Sequence, residues 1–182
     1  MLRRKLTLSL LATPLIGINM SDAADLSNEV YMNLKYGRVV IELLPGIAPK
    51  MVAHFKKLVE EHFYDNTPFH RVIAGFMAQG GDPTGTGTGG SNLGHVPAEF
   101  THARKFLRGT VGAARSSDPN SADSQFFICF EPAPFLDGQY TIFGQVISGM
   151  EYVDEIKKGA GPNGMVKDPD RIITMRMATD KQ

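Results

Sequence analysis

The sequence predicts an all-β domain, a barrel or sandwich carrying two helical caps. Three observations lead there. Short apolar runs, many of them β-branched or aromatic, recur between Val30 and Met177. Loops rich in Gly, Ser, Asp and Pro separate those runs. Only two stretches space their apolar residues as a helix would.

The first element, segment 30–43, reads as a hairpin. Met32 and Leu34 alternate with Asn33 and Lys35, then Gly37 turns the chain into Val39-Val40-Ile41. Pro45-Gly46 breaks the pattern. From Pro49, Val52, Phe55, Leu58 and Val59 form one apolar stripe, with Lys56, Lys57, Glu60 and Glu61 off it. This predicts a helix ending near His62. Five short runs follow as strands, over 69–73, 76–79, 110–114, 125–130 and 141–147. A second helix is predicted from Ser148, where Ser148 and Glu151 have capping-box spacing and Met150, Val153 and Ile156 make the stripe. Segment 171–177 reads as a closing strand. There is no internal repeat and no sign of a second domain.

The chain has 182 residues, 42% of them hydrophobic, enough for one domain with a sizeable core. Its 19 basic and 19 acidic residues balance, so nothing suggests a nucleic-acid partner. Residues 1–23 read as a secretory signal peptide. Arg3, Arg4 and Lys5 precede an apolar run over 6–18, and Ser21-Asp22-Ala23 offers small residues for cleavage. That run falls short of the roughly 20 residues a membrane span needs. Cleavage after Ala23 removes Arg3, Arg4, Lys5 and Asp22, leaving 16 basic and 18 acidic residues in a domain over 24–182. The expected location is the periplasm. Cys129 is the only cysteine, so no intramolecular disulfide is available; inside an apolar run it reads as a packed, inert thiol.

Familiar catalytic patterns do not fit. The five histidines, His54, His62, His70, His95 and His102, lack metal-ligand spacing. The glycine-rich run 85–90 lacks the Lys-Ser/Thr of a phosphate loop, and no serine sits in a Gly-x-Ser-x-Gly elbow. The informative residue is Arg71, a permanent charge inside an apolar strand. An arginine there is either an edge residue reaching solvent or a paired charge in a site. Gln79, Phe76 and Met77 lie near enough in sequence to share that site. His70 beside it reads as a packed or supporting imidazole.

The run 69–82, FHRVIAGFMAQGGD, resembles the cyclophilin signature. SQFFICF, FLDG and FGQVISGM resemble further blocks of that family in the same order, and the likeness covers about Val30 to Met177. The resemblance implies a closed antiparallel barrel of about eight strands with two helices. It also implies a peptidyl-prolyl cis-trans isomerase needing no metal or cofactor. Its catalytic arginine falls on Arg71 and its supporting glutamine on Gln79. The proline pocket falls on Phe76, Met77, Phe127 and Leu136, the backbone-contacting pair on Ala114 and Arg115, and two rim positions on Phe135 and Tyr140.

Phe135 stands where many eukaryotic members have tryptophan, Tyr140 where they have histidine and Arg115 where they have asparagine. The loop after Arg115 is one residue longer. These departures resemble bacterial members and leave Arg71 and Gln79 intact. Loss of an indole N–H at Phe135 implies weak binding of cyclosporin, the family's cyclic-peptide ligand. Proline-containing polypeptides are the implied partners, and a monomer the implied state. The alternative reading is a non-catalytic module that holds proline-containing segments as a chaperone or assembly factor.

Overall fold

The computed structural model describes residues 26–180; the signal segment 1–23 lies outside the described residues. Among the described residues there are eight antiparallel strands. They are β1 (Glu29–Leu34), β2 (Gly37–Leu43), β3 (Arg71–Ile73), β4 (Met77–Gly80), β5 (Thr110–Ala113), β6 (Phe126–Cys129), β7 (Ile142–Ser148) and β8 (Thr174–Met177). The helices are α1 (Pro49–Glu60) and α2 (Met150–Asp154). The strands order as β3-β4-β6-β5-β7-β2-β1-β8. β1 and β2 pair as the expected hairpin, with Leu34 opposite Gly37 at its tip.

The sheet curls into a half-barrel and does not close, which corrects the expected closed barrel. Register shifts at Val40/Ile41 and Val111/Gly112 bend it against β7. The ladder ends at β3 and β8, and segment 159–172 covers the gap by isolated contacts. Val72 N–H bonds the Gly164 carbonyl, Val166 N–H that of His70, and Phe69 N–H that of Asp170. A continuous strand cannot form there, because Gly159, Gly161, Pro162, Gly164 and Pro169 interrupt the segment.

α1 buries its predicted stripe and packs against β8; α2 packs against β2. Pro49 opens α1, and Glu99, far along the chain, accepts the N–H groups of Lys50 and Met51 at 3.0 and 2.9 Å. The expected Ser148–Glu151 capping box is absent. Ser148 is still the last residue of β7, and Gly149 turns the chain into α2 at φ 80° with no side-chain cap. The main core gathers Phe55, Tyr64, Phe69, Phe126 and Phe143, with Phe55 and Phe126 edge-on at 5.7 Å.

Candidate active site

Alternation along the strands divides core from site. On β6, Phe126 and Ile128 enter the main core, whereas Phe127 and Cys129 join a second apolar cluster on the other face. β4 sends Ala78 to the core and Met77 to the second cluster. β3 sends Val72 to the core and packs Ile73 on the second cluster. Register then aligns the chemistry. Arg71 stands opposite Gln79, Gln79 opposite Phe127, and Phe127 opposite Gly112. The site is thus one row across four neighbouring strands.

All ten residues singled out from the sequence line one hollow of about 380 Å³. Met77 and Phe127 are buried in its floor, with Leu136 beside them. Phe76 and Phe135 meet at 5.2 Å between ring centres, and Phe135 stays 62% exposed at the rim. Tyr140 stands edge-on to Phe127 at 5.9 Å, and Ala114 and Arg115 line the hollow as well. Gly112 makes this packing possible. A Cβ there would lie 2.5 Å from Phe127 Cζ and 2.8 Å from Phe106 Cε1.

Arg71 is half-buried on the edge strand and also paired. Its Nη1 donates to Gln79 Oε1 at 3.1 Å and its Nε to the Asn163 carbonyl at 2.9 Å. Gln79 is held in turn: its Nε2 donates to Gln125 Oε1 at 2.9 Å, and Gln125 Nε2 donates to the Gly87 and Gly89 carbonyls. The glycine-rich run therefore braces the arginine through two glutamines. Asp82 shapes that run by accepting the N–H groups of Thr84, Gly87 and Gly89.

Sequence reasoning missed Gln125 and Gln139. Gln125 carried a signal, since it shares its face with Phe127 and Cys129 by alternation. Gln139, which lines the hollow, carried none. A second hollow of about 590 Å³ adjoins the first, sharing Gln79, Ala114 and Arg115 with it.

His70 is 2% exposed, and neither ring nitrogen has a hydrogen-bond partner. Burial lowers its proton affinity and Arg71 adds to that, with the Asp82 carboxylate acting against them. It has no access to a substrate. Burial likewise pushes the Cys129 thiol up to about 12. Among the described residues lining the first hollow there is no serine, cysteine, histidine or carboxylate. The arrangement can grip an apolar ring and donate a hydrogen bond beside it.

The half-barrel thus presents a fixed cation beside an apolar, ring-sized hollow. The family model for cyclophilin type peptidyl-prolyl cis-trans isomerase/CLD matches residues 29–177. A probable peptidyl-prolyl cis-trans isomerase of Brucella suis is 52% identical over 175 residues, covering 90% of this chain and 89% of that protein. A peptidyl-prolyl cis-trans isomerase of Helicobacter pylori is 43% identical over 141 residues, covering 74% of this chain and 85% of that protein.

Among solved structures, a Cryptosporidium parvum cyclophilin type peptidyl-prolyl cis-trans isomerase was determined in the presence of the dipeptide Ala-Pro. It gives a TM-score of 0.75 at 33% identity, over 84% of this chain and 99% of that one. A cyclophilin from Hirschia baltica gives 0.77 at 29% identity, over 87% of this chain and 76% of that one. The chain belongs to the cyclophilin-type peptidyl-prolyl cis-trans isomerase family.

Proposed function

We propose that the chain accelerates rotation about X-Pro bonds in other polypeptides, with Arg71 as the catalytic group. The observation that carries this reading is the Arg71 guanidinium, fixed by Gln79 and Asn163 beside the apolar hollow. Amide resonance gives the X-Pro bond a barrier of about 18–20 kcal/mol. At about 19 kcal/mol the uncatalysed rate is on the order of 0.1 per second, and removing about 5–6 kcal/mol raises it roughly four powers of ten.

Rotation breaks no bond, so what matters is tighter binding of the twisted amide than of the planar one. As resonance is lost the prolyl nitrogen becomes pyramidal and gains a lone pair. A guanidinium N–H of Arg71 donates to that lone pair, an interaction the planar amide lacks. Phe76, Met77, Phe127 and Leu136 hold the pyrrolidine ring while the preceding residue turns. Ala114 and Arg115 meet the peptide backbone, and Phe135 and Tyr140 form the rim. No cofactor enters this scheme.

The same reading makes the protein an exported folding factor, processed after residue 23, acting in the periplasm as a monomer and binding cyclosporin weakly. The n-region, apolar run and small residues of segment 1–23 support export; N-terminal sequencing of the secreted chain checks it.

The isomerase reading is tested by exchange NMR on an Ala-Pro peptide with substoichiometric protein. Faster cis-trans exchange is expected. Peptide binding without faster exchange would make the chain a proline-binding module instead.

A further inference from the structure

Among the described residues lining the two hollows there are two arginines and one carboxylate, and that carboxylate is already bonded. Arg71 and Arg115 are the charged residues of the first hollow. The second adds His95 and Asp123. Asp123 is already spent: His54 Nε2 lies 3.0 Å from its Oδ1, the Ser91 hydroxyl donates to the same oxygen, and Ser91 N–H donates to Oδ2. Arg71 and Arg115 make no ion pair among the described residues; their acceptors are neutral amide oxygens.

Arg115 stands where the two hollows meet. Its Nη1 donates to the Ser116 carbonyl and its Nη2 to the Gln139 carbonyl, both at 2.8 Å. The guanidinium stacks 4.4 Å from the centre of the Tyr140 ring, with Phe100 at 5.9 Å. It is therefore rigid and only partly exposed. Each terminal nitrogen has two N–H groups, so each keeps a donor beyond the bond it makes here. A stacked, pre-positioned guanidinium with spare donors suits a carboxylate better than a neutral or cationic group.

We infer that Arg115 makes this protein select X-Pro segments carrying an aspartate or glutamate close to the proline in sequence. The inference deepens the proposed isomerase function and names the substrate class of that same groove. Arg115 discriminates between substrates; it is not assigned a part in the rotation itself. Because the guanidinium is partly solvated, the selection is modest and salt-dependent.

The test uses one Ala-Pro peptide series, with Glu, Gln or Lys placed in turn at the two positions before the Ala-Pro pair and the two after it. Exchange NMR gives turnover, and chemical-shift titration gives affinity. At one position wild type should favour Glu over Gln by about fivefold at 20 mM salt, with Lys lowest, and the gap should close towards 0.5 M salt. Arg115→Gln should flatten the ranking, Arg115→Lys should keep part of it, and Arg115→Glu should reverse it. The readout is the ratio between peptides, so a general loss of activity in a variant does not blur it.

Equal handling of Glu, Gln and Lys at every position by wild type overturns the inference. So does a Glu preference that survives Arg115→Glu. Affinity ranks the peptides even without turnover, so failure of the isomerase reading and failure of charge selection are separately visible.

Discussion

Arg71 and Gln79 sit directly opposite one another on β3 and β4, and the side chains bond across the ladder at 3.1 Å. Strand register brings the pair together, and the Asn163 carbonyl in segment 159–172 fixes the guanidinium from its other side at 2.9 Å. Gln125 then holds Gln79 from the next strand side, at 2.9 Å.

If that chain of amides aims the arginine, loosening it should cost turnover more than binding. Gln79→Ala removes one hydrogen bond to a charged group and is expected to lower turnover about tenfold. Gln125→Ala, one step further away, should lower it by less, with peptide affinity close to wild type in both. The comparison is turnover by exchange NMR beside affinity by titration. A Gln125→Ala loss larger than that of Gln79→Ala would break the proposed order.

Gly112 lies under the pocket floor, where a methyl group has no room beneath Phe127 and Phe106. Gly112→Ala should therefore push the Phe127 ring into the hollow. Peptide affinity is expected to fall roughly tenfold, with a stability loss of about 1–3 kcal/mol from overpacking. Titration and urea unfolding measure the two. Unchanged affinity would mean that Phe127 does not form the floor.

Acid should unfold the protein in two stages. His70 is held below its ordinary 6.5 by burial, so its neutral form stabilises the fold fully above 6.5, and this is lost as pH falls below that. Asp154 is held below the ordinary 3.8 by its hydrogen bond from Arg108. At Asp65, Asp82 and Asp170 burial pushes upward but is outweighed by donors, among them Arg176, Thr84 and Lys35 respectively. Their depressed values stabilise the fold above 3.8 and fail as pH drops through them. The urea midpoint should decline below about 6.5 and again, more steeply, below about 3.8. His70→Gln should remove the first decline. A midpoint flat from pH 7.5 to 5 contradicts this role for His70.

Phe135 is exposed at the rim and contacts Phe76, offering apolar area but no donor. Phe135→Trp adds both area and an indole N–H, and is expected to tighten cyclosporin binding about tenfold. Calorimetry on the two proteins decides it. An unchanged affinity would assign the weakness to another residue.

Much of this architecture was legible in the sequence because periodicity is local. The stripe through Val52, Phe55 and Leu58 specified α1, and alternation through 125–130 separated Phe127 from Phe126. The signature stretch supplied Arg71 and Gln79 together, because a tight turn brings adjacent strands into register. What stayed hidden depends on distant partners. Ser148 has capping-box spacing, yet pairing with Val40 keeps it in β7. Closure depended on what reaches β3, and the interrupted segment 159–172 cannot be read as a covering strand from its composition. Gln125 bonds carbonyls 36 and 38 residues away, which no spacing rule encodes.

The central claim is that Arg71 acts on the twisted amide and not on the resting peptide. Its most direct test is Arg71→Ala, with turnover and peptide affinity measured on the same sample. Turnover should fall by about a hundredfold or more while affinity changes by no more than about threefold. Equal losses in both would contradict the claim and reduce Arg71 to a binding residue.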